Sequence, residues 1–537
     1  MKVSEFYSKF IFPQDSRFKP YEHQALMWEK FFINSSKGEP ILLRAPTGSG
    51  KTEAIIAPFL EQFVEEKFVV APRLIYVLPM RALANQIFER IKGYAARVSP
   101  KILVELQHGA KPNEPFFMAD VVVTTLDQFI YAYARASSQV GRHLEQPAGS
   151  IANSIVVFDE AHMYREGLTF SLMRAMFEIL YRSRVPFIVM TATMPKSLEN
   201  DLFEKIEKQQ IIVSIFEKSQ TIKVNVKPLI EQRKIMSNGK LSDEVLELVD
   251  GHDKVLIIAN TVSRAVQIYN ALKKSGYSYP KEIVLLHSRF AFRDRETHEK
   301  QAINMLGRNG CGGIVVSTQV LEAGMDISAD LLITEIAPAD SLVQRSGRCA
   351  RFESERGEIV IFDVENDAPY FEVDGFKPID RTRMLLTSME NIDFSDFSKI
   401  CSFVDGMEYH TDDVAARDSL FDLYEQVLYA DDRPDNISVR EGKPVYLIVS
   451  DLFDKSDKPT IPSQVGVNLF SMDVKTLKGL ELELYSVAQN EKGYWDFAKG
   501  KKTIPSENAL PFGYYLISSN SYSSEIGLIA PKKEVKR

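Results

Sequence analysis

Ala45-Pro-Thr-Gly-Ser-Gly-Lys-Thr52 is the stretch on which the fold turns. The apolar Pro40-Ile-Leu-Leu43 just before it reads as a short buried strand, and Glu53-Ala-Ile-Ile-Ala-Pro-Phe-Leu60 just after it opens a helix. A strand, a Gly-rich turn and a helix N-terminus make a nest of backbone N–H groups that faces an anion. Gly48 and Gly50 let the backbone turn tightly and approach phosphate with no Cβ in the way. Lys51 then reaches the β- and γ-phosphates of a nucleoside triphosphate, and the Thr52 hydroxyl takes a Mg²⁺ position. Such a loop usually begins with Gly; Ala45 stands there and is small enough to serve.

Composition sets the bounds around this site. The chain has 537 residues, room for about three or four domains, with 45% hydrophobic and 26% charged residues, as in an ordinary globular protein. No apolar run is long enough to cross a membrane, and the N-terminus Met1-Lys-Val-Ser-Glu-Phe6 lacks a signal-peptide core. Three cysteines without CxxC spacing argue against a disulfide framework or a zinc site, so the expected compartment is the cytoplasm. The net charge of −8 would sit badly with a nucleic-acid partner if it were spread evenly. It is not: residues 391–435 hold twelve Asp/Glu and three Lys/Arg, a net of −9, leaving about +1 for everything else.

Strand-and-helix alternation continues on both sides of the loop. Ahead of it, Gln24 opens the helical pattern Ala25–Phe32; its amide is either a surface group or a reader of an adenine edge. After it come the strand Leu74–Leu78, a helix starting in Pro79–Gln86, and the strand Val121–Val123 ending in Thr124–Phe129. Residues 134–150 are polar and aperiodic, which predicts a loop. Ser154-Ile-Val-Val-Phe-Asp-Glu-Ala-His162 brings Asp159 and Glu160 to the carboxyl end of a buried strand, where α/β sheets place their ligands. Asp159 suits Mg²⁺ through its water shell, and Glu160 suits the orientation and deprotonation of an attacking water. Pro186–Met190 is a further strand, ending at Thr191-Ala-Thr193, whose hydroxyls can bond the Asp159–His162 turn.

A second α/β unit is expected after a polar stretch. Its strands are Lys254–Ala259, Ile283–Leu286, Gly313–Ser317 and Leu331–Glu335, and it has no phosphate loop. A helix after the last strand is expected to carry Gln344-Arg-Ser-Gly-Arg-Cys-Ala-Arg351, with Arg348 and Arg351 projecting from one face at i, i+3 spacing. Two guanidinium groups are what phosphoryl transfer uses to neutralise γ-phosphate charge.

Taken in order, Gln24, 45–52, 79–86, 124–129, 159–162, 191–193, 260–264, 318–326 and 344–351 resemble the motif set of a superfamily 2 helicase. The stretches Thr125-Leu-Asp-Gln-Phe129, Leu285-Leu-His-Ser-Arg-Phe290 and Ser317–Ser328 are most similar to the CRISPR-associated type I signature helicase. That resemblance implies two tandem RecA-like parallel-sheet domains, at 1–215 and 216–365, then an acidic helical linker at 366–435 and a C-terminal accessory domain at 436–537. It implies ATP and Mg²⁺ as cofactors. Gln24, Thr47, Gly48, Ser49, Gly50, Lys51, Thr52, Gly324 and Asp326 would contact nucleotide, Thr52 and Asp159 would hold the metal, and Lys51, Asp159, Glu160, Gln344, Arg348 and Arg351 would act in catalysis. Arg81, Thr125, Asp127, Asn260, Arg264, Ser288, Arg289, Thr318 and Gln319 would contact the nucleic-acid strand, and His162, Thr191 and Thr193 would couple hydrolysis to movement.

The same resemblance implies 3′-to-5′ travel on single-stranded DNA exposed by a surveillance complex. The family commonly joins an N-terminal His-Asp metal nuclease; only some twenty residues precede Gln24, so the expectation is a stand-alone helicase with a separate nuclease subunit. Alternatives are a DNA or RNA helicase unrelated to CRISPR, and a nucleotide-gated DNA clamp that recruits a nuclease without unwinding. In the remaining third, Asp418–Leu428 is an amphipathic helix candidate, and Asp412, Asp413 and Asp418 read either as a solvated face or as a dock for a basic partner.

Overall fold

The computed structural model describes all residues except 15–18, 47, 110, 141–142, 165–166, 213–223, 228–232, 276–281, 323–324, 353–354, 365, 373–374, 389–392, 395, 410–442, 451–464, 490–494 and 530–537. Its contacts group the chain into two compact units. One is built from 1–218 with 373–376 and 396–441, the other from 219–372 with 377–395 and 442–537.

The first unit is organised on an eight-stranded sheet. Its spatial order is Lys111–Pro112, Val104–His108, Val121–Thr125, Arg73–Leu78, Ser154–Phe158, Phe187–Thr191, Ile41–Arg44 and Gln209–Ile212. Seven strands run parallel, and the two-residue Lys111–Pro112 is the antiparallel edge. The central strands are uninterrupted Ile/Val/Leu/Phe runs buried on both faces, as a sheet covered by helices on both sides demands. Each fully buried aliphatic or aromatic side chain there contributes about 1.5–3 kcal/mol.

The expected loop at 134–150 is corrected in part: Glu145–Ala152 is a helix. Pro147 is tolerated in its first turn, and Pro147, Ala148 and Ile151 bury one face against the core that includes Phe129 and Tyr133. Burial of that face outweighs the poor propensity of Pro, Gly and Ser. The acidic segment is also divided. Helix Phe397–Asp405 belongs to the first unit, where Asp405 meets the buried Arg44 at 3.2 Å, while helix Pro378–Ser388 belongs to the second. Asp412, Asp413, Asp418 and the 418–428 candidate helix lie outside the described residues.

The second unit carries a six-stranded parallel sheet, ordered Ile283–Leu286, Gly313–Ser317, Lys254–Ile258, Leu331–Glu335, Gly357–Phe362 and Val224–Lys227. A five-stranded mixed sheet of C-terminal residues packs within the same unit. It is ordered Leu469–Asp473, Pro444–Ser450, Tyr514–Ser518, Glu483–Gln489 and Trp495–Pro505. Its core of Val445, Leu447, Phe470, Leu477, Leu484 and Ile517 takes in Ala291 from the parallel-sheet part. A short hairpin, Tyr522–Ser523 against Gly527–Leu528, ends the described chain.

Candidate functional site

In the first unit the phosphate loop leaves strand Ile41–Arg44, and the neighbouring strands end at Thr191 and at Phe158-Asp159. Three adjacent strands thus deliver their carboxyl ends to one edge. Gly48 and Gly50 have φ of +79° and +78°, which favours glycine at both. A Cβ on Gly50 would also come 2.4 Å from the Gln24 amide nitrogen, too close for any side chain without displacing it. Helix Lys51–Val64 begins directly after, so its N-terminal amides close the loop. The buried Lys51 ammonium donates to the carbonyls of Ala45 (3.1 Å) and Pro46 (3.3 Å), which holds it folded over the loop. The ring of His23 meets the Ser49 carbonyl at 3.0 Å and stacks on Tyr21. Burial lowers the His23 pKa to about 4, so this ring is neutral at pH 7.

A residue with no motif of its own sits at the centre of this edge. Tyr76, buried in strand Arg73–Leu78, donates its hydroxyl to Asp159 Oδ2 at 2.7 Å and lies 3.3 Å from Thr52 Oγ1. The two groups named as metal holders therefore converge on one hydroxyl. Burial first, and then the neighbouring Glu160 carboxylate, push the Asp159 carboxyl up to about 6. A carboxylate so placed gains from a cation beside it, and an oxygen pair of one hydroxyl and one carboxylate is the kind of partial shell Mg²⁺ accepts while keeping its waters. The pair fits that ion.

Glu160 adopts φ +52°, a left-handed conformation costly for a non-glycine residue. Its backbone N–H donates to Asp159 Oδ1 at 2.8 Å, and its carboxylate lies 3.6 Å from His162 Nδ1. The same His162 nitrogen is 3.1 Å from Thr191 Oγ1, which accepts the Thr193 N–H at 3.2 Å. Asp159 with Glu160, and His162 with Thr191 and Thr193, thus form two hydrogen-bonded groups at adjacent strand ends, brought together where Glu160 approaches His162.

The adenine-reading alternative for Gln24 does not match its present bonding. Gln24 is fully buried, its carbonyl oxygen accepts the Tyr21 N–H at 3.0 Å, and its amide donates to the Gly50 carbonyl at 3.1 Å. It caps its own helix and clasps the phosphate loop. Thr47 and Gly324 lie outside the described residues.

In the second unit the helix ends earlier than expected. It spans Ala339–Ser346, with Gln344 half-buried in its last turn. Tight turns follow, from Arg348 N–H to Arg345 O and from Cys349 N–H to Ser346 O. Cys349 then bridges Ala329, and Ala350 takes φ +46°. Backbone pairing with 328–329 is incompatible with helix, so Arg348 and Arg351 do not share a helical face. Arg348 is buried and donates to three carbonyls, of Leu321 (3.0 Å), Glu322 (2.9 Å) and Met325 (2.9 Å). Arg351 pairs with Asp326 at 3.2 Å.

The most buried arginine is Arg345, whose role the sequence did not disclose. It is fully enclosed and bonds Glu322 (2.8 Å), Thr334 Oγ1 (2.8 Å), the Glu335 carbonyl (3.0 Å) and Asn260 Oδ1 (2.9 Å). Asn260 in turn donates to the Ile336 carbonyl at 2.7 Å, and its N–H reaches Glu335 Oε2 at 2.6 Å. Arg264 joins the same Glu335 carboxylate at 2.8 Å.

Four of the residues assigned to a strand line one cleft of about 1230 Å³: Asn260, Arg264, Arg289 and Gln319. Asn270 and Lys274 line it as well. Ser288 is exposed and Thr318 buried, and neither is among the lining residues. In the first unit Arg81 is exposed at the start of helix Arg81–Val98, Thr125 is buried at the start of helix Leu126–Tyr133, and Asp127 is half-buried in its first turn. No helix among the described residues is long and apolar enough to cross a membrane.

The sequence and the fold are similar to those of known proteins. The model for DEAD/DEAH box helicases matches residues 21–201, the part that holds the phosphate loop, Asp159, Glu160 and Thr191. Residues 251–354 match the C-terminal region of the CRISPR-associated nuclease/helicase Cas3. The chain is thus similar to a DEAD/DEAH box helicase over 21–201 and to the C-terminal region of Cas3 over 251–354. A curated relative, the CRISPR-associated helicase Cas3 of Thermoproteus tenax, is 32% identical over 349 residues, covering 62% of this chain and 57% of its own length. Among solved structures, T. fusca Cas3 with AMPPNP superposes with a TM-score of 0.69 at 18% identity, covering 96% of this chain and 68% of that one. A chain of a CRISPR RNA-guided surveillance complex in a pre-nicking state gives 0.56 at 18% identity, covering 96% and 68%. These structural likenesses establish the fold: two RecA-like parallel-sheet domains and a C-terminal accessory part.

Proposed function

We propose that this chain is an ATP-dependent, Mg²⁺-requiring helicase that moves 3′ to 5′ along single-stranded DNA in CRISPR interference. In this reading it works in the cytoplasm, is recruited by an RNA-guided surveillance complex, and hands the strand to a separate His-Asp nuclease subunit. The observation that carries the catalytic part is the convergence of Lys51, Thr52, Asp159 and Glu160 on one sheet edge, with Tyr76 joining the two metal-side oxygens. Lys51 and the loop amides would hold the phosphates, Thr52 and Asp159 would hold Mg²⁺, and Glu160 would orient and deprotonate the water. Bound Mg²⁺ would neutralise charge on the β- and γ-oxygens. Gln344, Arg348 and Arg351 are assigned to the same hydrolysis by their motif, and Gln24 to nucleotide binding through its grip on the loop.

The cleft holding Asn260, Arg264, Arg289 and Gln319 supports strand binding through phosphate contacts, which carry no sequence preference and so suit a motor. The likenesses to Cas3 support the CRISPR setting. The test is ATP turnover with single-stranded DNA or RNA added. DNA should stimulate turnover and RNA should not; the reverse would leave a helicase of the same class with an RNA substrate. A duplex with a 3′ overhang should be unwound and one with a 5′ overhang left intact. Turnover that ignores both polymers would favour the nucleotide-gated clamp.

A further inference from the structure

The hairpin Tyr522–Leu528 is hydrogen-bonded to the second unit's parallel-sheet part through residues that are all more than 200 positions away in sequence. The Leu528 N–H donates to the Arg289 carbonyl at 3.3 Å. His287 Nδ1 accepts the Arg289 N–H at 3.1 Å, so its proton sits on Nε2, which donates to the Ile526 carbonyl at 3.2 Å. The Tyr522 hydroxyl accepts the Ala291 N–H and donates to Asp294, each at 2.8 Å. Glu525 takes both the Tyr269 hydroxyl, at 2.7 Å, and the Lys273 ammonium. Gly527, at φ +74°, packs so closely that a Cβ there would lie 2.7 Å from the Arg289 carbonyl oxygen and 2.7 Å from the His287 ring.

These partners are not scattered. Tyr269 and Lys273 lie on helix Val262–Lys274, which lines the strand cleft through Arg264 and Lys274. His287 and Arg289 lie on the turn after strand Ile283–Leu286, from which Arg289 lines the same cleft. One seven-residue hairpin thus ties together two walls of the cleft and pins the backbone of Arg289 on both sides: its N–H through His287 and its carbonyl through Leu528. Ser288, exposed between them, is carried on the same turn.

We propose that the Tyr522–Leu528 hairpin is a positioning element that holds the Ser288-Arg289 turn so that Arg289 is presented to a nucleic-acid phosphate in the cleft. This rests on the reading of that cleft as the strand-binding surface. The hairpin itself makes no strand contact; it acts through Arg289. It gives the C-terminal part of the chain a share in substrate grip, by way of the helix and turn that line the cleft.

The experiment is equilibrium binding of a labelled oligo-dT strand to the full chain with a non-hydrolysable ATP analogue, at several salt concentrations. Arg289→Ala should weaken binding and lower the slope of log affinity against log salt by about 0.7, the loss of one phosphate contact on a single strand. Tyr522→Phe, which removes one oxygen and leaves the packing, and Gly527→Ala should each weaken binding about three- to tenfold, with the same fall in slope and with strand-free nucleotide affinity unchanged. The double variant Gly527→Ala/Arg289→Ala should bind no worse than Arg289→Ala alone, because both act through one contact. Hairpin variants that bind like the parent chain, or losses that add in the double variant, overturn the positioning role while leaving the cleft reading intact. Unchanged affinity and slope in Arg289→Ala overturn the cleft reading and the hairpin's role with it.

Discussion

The two parallel sheets of this protein are built alike and finished differently. Both bury near-continuous Ile/Val/Leu strands and both bring functional residues to the carboxyl ends of those strands. On the first sheet those ends carry an ammonium, two carboxylates and hydroxyls, set around a glycine loop. On the second they carry an asparagine, a glutamate and arginines tied in a largely buried network, with no comparable loop among the described residues. In the reading proposed above, the scaffold does not choose between phosphate chemistry and polymer grip; the residues in the first few positions after each strand do.

Each unit holds a buried arginine paired with a carboxylate, which allows the comparison to be broken. Arg345 is fully enclosed with Glu322, and Arg44 is buried with Glu199 at 3.3 Å. Arg345→Met would strand Glu322 and Asn260 and should cost about 3–5 kcal/mol in denaturant unfolding. Arg44→Met should cost less, because Glu199 keeps Gln210 and Lys208 as partners and Asp405 is a third exposed and can rehydrate. Equal losses would mean that the second unit's network is no more central than the first unit's.

The next expectation separates chemistry from grip. Lys51→Ala should lower ATP turnover by about 10²–10³-fold, the scale for losing one fixed charge-stabilising donor. It should leave the unfolding midpoint of the second unit where it was, as followed by hydrogen exchange over 254–335. A buried imidazole in each unit gives a milder effect. Burial holds His23 down to about 4 and His287 down to about 3, below the ordinary value near 6.5. Between about 6.5 and those values the unfolded chain takes up protons that the folded chain refuses. Stability is therefore full above pH 6.5 and falls as pH drops, by up to about 1.4 kcal/mol per pH unit for each ring. His287→Gln should flatten the dependence of the urea midpoint on pH over the window from 6.5 to 5; an unaltered slope would show that the ring titrates normally. The smallest effect is expected of Tyr76→Phe. Loss of one hydroxyl, worth about 1 kcal/mol, should raise the Mg²⁺ concentration for half-maximal binding of a fluorescent ATP analogue about fivefold.

How far the sequence discloses such a site depends on which residue types carry it. Glycines, a lysine after them and paired acids at the end of an apolar run have few other uses, so the loop and Asp159-Glu160 are legible from spacing alone. Tyr76 is not, because a tyrosine inside Leu74-Ile-Tyr-Val-Leu78 looks like core, and only the tertiary placement of Thr52 and Asp159 gives its hydroxyl a task. Arg345 has no such signal: in Gln344-Arg-Ser-Gly-Arg-Cys-Ala-Arg351 helical spacing singles out Arg348 and Arg351 instead. The chain leaves the helix at Ser346, and the arginine left inside is the structural one. The helix at 145–152 was masked by Pro147, Gly149 and Ser150, whose weak propensity is overruled by the face it buries. The Tyr522–Leu528 hairpin had no local signal, since its meaning lies in partners more than 200 residues distant.

The most direct test is the Glu160→Gln variant of the full chain, assayed for single-stranded-DNA-stimulated ATP turnover alongside strand affinity in the presence of ATP. Turnover should fall by about 10²–10⁴-fold, the range for losing a general base, while ATP and the DNA strand stay bound as tightly as in the parent chain. Turnover at the parent rate would contradict the assignment of hydrolysis to the Asp159–Glu160 strand end.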